Sequence, residues 1–213
     1  MIYTDHWAFL HIPKNGGYNF RERALQSRHI IVRGQQYIPK SKGYLLHLFW
    51  HQPISYHLEY IPHLKNLQWI CIVRHPEDRL ASWYYFMKEL HPPLWHTTFS
   101  GDISFEEFVV ENRIKDLNRF LGQVAGRHAQ AWGEQFWKIE DLQSNWFNVP
   151  DGVNLKHFRL EDQLDELESY VGFKFSDTKH NYTNRPKDLH YTDEMKQITY
   201  INYQEDYERF GYE

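Results

Sequence analysis

The chain has 213 residues, 41% of them hydrophobic and 17% aromatic, enough for a sizeable core in a single domain spanning 1–213. Its formal net charge of −4 argues against general nucleic-acid binding, and no apolar run approaches the ~20 residues of a membrane span. The single cysteine, Cys71, excludes an internal disulfide, and Asp5 and His6 stand where a signal peptide would be basic and then apolar, so the expected setting is soluble, reducing and cytoplasmic.

Trp7–Ile12 reads as a buried strand, stopped by Pro13. Lys14, Asn15, Gly16 and Gly17 follow as a tight cationic turn, and Phe20, Ala24 and Leu25 recur at helical spacing, predicting a helix over Tyr18–Ser27. His29–Val32 and Tyr44–Phe49 are strand candidates on either side of a polar loop, 34–43. Ile54–Tyr60 reads as a short helix ended by Pro62. Gln68–Val73, QWICIV, is the clearest strand: short, continuous and rich in Ile, Val and Trp.

Arg74-His75-Pro76 comes next, and Pro76 with Glu77 and Asp78 suits a helix start. Leu80, Trp83, Tyr84, Met87 and Leu90 then mark an amphipathic helix that His91-Pro92-Pro93 ends. Leu94–Asp102 reads as a loop, with Ser104 and Glu107 at capping-box spacing before a helix over Phe105–Phe120. A further helix is expected over Ala129–Ile139, a turn over Asn148–Gly152, a strand over Val153–Phe158 and a helix over Glu161–Tyr170. A polar loop, Thr178–Leu189, leads to a last helix, Asp193–Phe210. Strands alternating with helices predict an α/β fold with a largely parallel central sheet flanked by helices.

The first chemical signal is the turn after the first strand. A helix N-terminus carries partial positive charge and unsatisfied N–H donors; glycines allow close backbone approach, and Lys14 adds a full charge. A phosphate or sulfuryl group is the natural guest. This is not the nucleoside-triphosphate loop: the lysine precedes the glycines, and no Ser or Thr is placed for magnesium. The charge distribution agrees. Residues 1–100 carry 11 Lys and Arg against 6 Asp and Glu, whereas 101–213 carry 13 against 22.

The second signal is Arg74, leaving the end of a buried strand, with Ser82 eight residues on. Ligands of parallel sheets bind at the carboxyl ends of strands, so Arg74 is expected on the same rim as Lys14. Guanidinium and hydroxyl suit a second anion. Two anion sites on one rim imply a nucleotide phosphorylated at two places.

HIPKNGG followed by IVRHPEDRLAS resembles the sulfotransferases that use 3′-phosphoadenosine 5′-phosphosulfate (PAPS), and is most similar to the carbohydrate branch, with hIPKTGGTS and VRDPxxRLxS. RLASWYYF is similar to the uronosyl 2-O-sulfotransferases; HNYTNRPK and YQEDYERFGY resemble the family's late loop and its ending. The resemblance implies the P-loop-related sulfotransferase fold. It also implies transfer of a sulfuryl group from PAPS to a hydroxyl of a carbohydrate acceptor, with PAP as product and no metal. In that scheme Lys14, Asn15, Gly16, Gly17, Tyr18 and Asn19 cradle the 5′-phosphosulfate, and Lys14 stabilises the leaving oxygen. Arg74 and Ser82 bind the 3′-phosphate, and Arg185 and Lys187 close over the nucleotide. The first motif departs from the family: Asn15, Tyr18 and Asn19 replace hydroxyl residues that donate to the phosphosulfate. The rival readings are a degenerate member that binds PAP, PAPS or a glycan without turnover, and an ATP-dependent small-molecule kinase.

An acceptor hydroxyl is helped by a general base, and histidine titrates near the working pH. Relatives in the 2-O branch keep a histidine a little over twenty residues before the second-motif arginine, a position matched here by His51. His47 and His57 are the weaker candidates. The 14 histidines show no HExxH or Cys/His cluster, so no metal site is expected. Trp95, His96 and Phe99 read either as a sugar-stacking lid or as a loop packed on the core.

Overall fold

The computed structural model describes residues 2–27, 53–90, 92–99, 101–116, 142–174, 183–186 and 188–213. The chain forms two compact units: residues 1–74 with 143–180, and residues 75–142 with 181–213. The strand candidates His29–Val32 and Tyr44–Phe49, the loop 34–43 and the helix expected over Ala129–Ile139 lie outside the described residues.

The first unit is built on a four-stranded sheet, β1 (Ile2–Tyr3), β2 (Trp7–Leu10), β3 (Gln68–Val73) and β4 (Asn154–Arg159), in that order. β1 runs antiparallel to β2; β2–β3 and β3–β4 are parallel. The sheet is therefore mixed and mostly parallel, with an antiparallel edge of two residues that carries too little pattern to be seen in sequence. β2 stops at Leu10, opposite Cys71, two residues short of the expected end. β3 keeps the bounds read from its apolar run.

Alternate side chains of these strands face opposite ways. Trp7, Phe9, Ile70, Ile72 and Phe158 meet Phe20 and Ala24 of α1 (Gly17–Gln26) and Leu167 and Val171 of α6 (Leu164–Val171) in one apolar cluster. Phe9 stacks on Phe20 with ring centres 3.9 Å apart. Trp69 is fully buried; its Nε1–H donates to the Leu64 carbonyl at 3.0 Å. His57 of α2 (Ile54–Tyr60) stacks over its ring and is 1% exposed, so that histidine is a core residue. Cys71 is buried as a small apolar side chain.

The second unit is helical: α3 (Pro76–Leu90), α4 (Pro92–Thr98), α5 (Phe105–Val110) and α7 (Asp193–Phe210). α4 corrects the loop expected over Leu94–Asp102. The Pro92-Pro93 pair that ends α3 also begins α4, because proline suits the first helical turn, where its missing N–H is not needed. Trp95 and Phe99 are buried in an aromatic core with Tyr84, Phe105 and Phe108, which settles them as packing residues rather than a lid. Ser104 caps α5, accepting from the Glu107 N–H at 3.0 Å. α5 ends at Val110 and Asn112 follows in the left-handed region at φ 52°; residues 114–116 are helical again, and the rest of the span expected to Phe120 lies outside the described residues. Thr192 caps α7, and Gly211, at φ 68°, closes it.

Candidate functional site

The candidate site lies in the first unit, at the carboxyl ends of β2 and β3. The chain leaves β2 and turns through Pro13–Gly16 into α1. Lys14 stands at φ 66° and Gly16 at φ 79°, both left-handed. Glycine takes that conformation without strain; lysine takes it at a cost. Gly16 is the N-cap of α1, no side chain bonds to the cap, and the first turn holds no acidic residue. The positive end of the helix therefore keeps its attraction for an anion.

The glycines are required by packing as well as by conformation. A Cβ on Gly17 would lie 2.1 Å from Cδ2 of His11, and one on Gly16 would lie 3.0 Å from Cδ1 of Leu160. His11 and Leu160 thus close the underside of the turn. Neither stood out in the sequence, because nothing in its pattern marks a residue that packs against a glycine.

Arg74 follows β3 directly, on the strand adjacent to β2. Its Nη1 donates to the Lys14 carbonyl at 3.3 Å, so the two cationic residues share one rim. Burial, with the Arg74 guanidinium second, lowers the Lys14 ammonium from 10.5 to about 7. Near neutral pH the turn therefore holds an amine that is only partly protonated. An arriving anion favours the ammonium and draws a proton in with it.

Asn15 is fully buried. Its side-chain amide donates to the Ile72 carbonyl at 2.9 Å and to Oε1 of Gln143 at 2.6 Å, so this side chain points into the protein while the turn's backbone remains at the rim. Gln143, also fully buried, accepts from the Arg74 N–H at 2.8 Å and donates to the Arg74 carbonyl at 2.7 Å. Gln143 is absent from the sequence reading. A lone glutamine in a short 3-10 helix, Gln143–Phe147, gives no pattern to find.

The remaining site residues are placed as follows. Tyr18 is exposed, with the Arg21 guanidinium 5.5 Å above its ring, and Asn19 is half-buried in the first turn of α1. Ser82 is half-buried on α3 in the second unit. Arg185, also in the second unit, forms an ion pair with Asp78, and the neighbouring Asn184 N–H donates to the Glu89 carboxylate. His51, His47 and Lys187 lie outside the described residues. The structure therefore brings together Lys14, Asn15, Gly16, Gly17 and Arg74. Among the described residues no group of three His, Cys, Asp or Glu is placed to hold a metal, and no helix is long and apolar enough to cross a membrane. Comparisons with family models, curated proteins and solved structures find no match to this chain.

Proposed function

We propose that this chain moves a sulfuryl group from PAPS to a hydroxyl, a carbohydrate being the expected acceptor class, on a fold of the P-loop-related sulfotransferase kind. The observation that carries the reading is the shared rim. A glycine turn with a half-buried lysine ends β2, an arginine follows its parallel neighbour β3, and Arg74 reaches the Lys14 carbonyl. One cationic group serves the 5′-phosphosulfate and the other the 3′-phosphate.

In-line transfer forms the acceptor O–S bond as the bond from sulfur to the bridging phosphate oxygen breaks. The work is positioning and charge stabilisation. The Lys14 ammonium meets the charge that develops on the bridging oxygen. The depressed pKa suits this, because the same anion that needs the charge draws it in. The acceptor proton passes to His51, the base the resemblance implies. Ser82, Arg185 and Lys187 keep the roles that the resemblance gives them.

Calorimetry with PAP, ADP and ATP tests the donor assignment; tighter binding of PAP than of ADP supports it, and equal binding sinks it. An acceptor screen with labelled PAPS tests turnover. A His51→Ala chain that keeps full turnover would remove His51 from the mechanism.

One observation favours the second reading, a binder without turnover. The Asn15 side chain, at a position where the family places a hydroxyl, is turned inward onto Ile72 and Gln143. That reading expects PAP binding with no labelled product from any acceptor.

A further inference from the structure

The ends of β2, β3 and β4 do not coincide. β2 pairs with β3 only as far as Leu10 and Cys71, so the Ile72 carbonyl lies beyond that ladder. On the other side pairing ends at Val73 and Arg159, and the Leu160 N–H takes the Val73 carbonyl at 2.9 Å. The next polar groups along β3 belong to Arg74. Side-chain amides meet both sets. Asn15 donates to Ile72, and Gln143 both accepts from and donates to the backbone of Arg74. A primary amide that exchanges two bonds with one residue's N–H and C=O offers what a paired strand residue would offer. The amides are joined to each other by the bond from Asn15 to Gln143.

We propose that Asn15 and Gln143 are a pair of positioning residues that extend the sheet past its last backbone pairs and so set the spacing between Lys14 and Arg74. The bracing stands on the hydrogen bonds alone; its consequence for PAP rests on the reading of the rim given above. The pair also accounts for the departure of PKNGG from the family's PKTGG. The Asn15 amide uses two donors, one toward Ile72 and one toward Gln143, while its buried Oδ1 accepts no hydrogen bond. A threonine hydroxyl has a single donor and could replace only one of those two bonds. Reversing the Asn15 amide would set its oxygen against two other oxygens, so its orientation is determined. Asparagine at 15 and glutamine at 143 are thus coupled through a bond that threonine at 15 could keep only by giving up the one to Ile72.

The test uses the full chain with four changes: Gln143→Met, which keeps length but loses all three bonds; Gln143→Glu; Asn15→Thr; and Asn15→Thr with Gln143→Met. Competitive acetylation read by peptide mass spectrometry gives the Lys14 titration midpoint without ligand, and calorimetry gives PAP affinity. Gln143→Met and Asn15→Thr each move the midpoint upward by about one pH unit or more, as the amine gains water and Arg74 drifts. Each weakens PAP by about tenfold or more, and the double variant goes no further than the worse single. Gln143→Glu shows the deficit at pH 8, where the carboxylate offers no donor to the Arg74 carbonyl. A folded Gln143→Met chain with unchanged midpoint and affinity, or deficits that add in the double variant, overturns the proposal. If Gln143→Met does not fold, Asn15→Thr and Gln143→Glu decide: unchanged midpoints in both overturn it. Wild-type chain that binds PAP no better than ADP defeats the donor assignment, while the midpoints still judge the brace.

Discussion

Replacing Lys14 by Met removes the amine and keeps a β-carbon at the same left-handed backbone, so the conformational cost cancels between the two chains. What remains is the titration. The Lys14 amine falls from 10.5 in the open chain to about 7 in the fold. Between those values the unfolded chain binds more protons than the folded one, so wild-type stability rises with pH across that window and is lowest below it. The gap corresponds to at most about 5 kcal/mol of penalty at and below pH 7, fading to nothing near 10.5. Lys14→Met carries no such penalty. Urea denaturation at half-unit steps from pH 6 to 10 should therefore show the variant more stable at the acid end, with the two curves converging as pH rises. A dianion bound at the rim opposes the effect. PAP binding to wild type at pH 8 should take up close to one proton, visible as a dependence of the calorimetric enthalpy on buffer ionisation, and less at pH 6. Parallel stability curves for the two chains would refute the premise that a partly desolvated, partly neutral amine sits in this turn.

Gly17→Ala places a methyl group where the His11 ring lies; the forced shift should cost about 1–3 kcal/mol in denaturant unfolding and weaken PAP, whereas an unchanged midpoint would show that the turn yields freely. Arg74→Lys keeps the charge but loses the planar donors that reach the Lys14 carbonyl; PAP affinity should fall about tenfold or more, and equal affinity would show that charge alone suffices at this position. Ser104→Ala removes the N-cap of α5; a loss of about 1 kcal/mol is expected by thermal or chemical unfolding, with PAP affinity unaltered.

Local patterns were legible. QWICIV announced β3, the three-and-four spacing from Leu80 announced α3, and both α3 and α7 keep the bounds read for them. These elements are specified by their own residues. The errors sit where one residue serves two neighbours or none. Pro92-Pro93 reads as a stop because proline ends a helix, but the same residues open α4. Strand β1 has two residues and exists through pairing with β2, which no window on residues 2–3 can show. The cationic side of the site was legible because lysine, glycine and arginine carry chemistry in their identity. Its support was not. Asn15 faces the interior, bonded to Ile72 and to Gln143, a residue 128 positions away.

The hydrogen bonds of Gln143 with Arg74 also bear on how the chain is threaded. Arg74 is the last residue of the first unit before residues 75–142 depart, and Gln143 is the first to return. That excursion therefore begins and ends at one bonded pair, 2.7 and 2.8 Å across. The same clasp joins the point where the chain leaves the first unit to the point where it returns, so loosening Gln143 acts on both at once as well as on the cation pair.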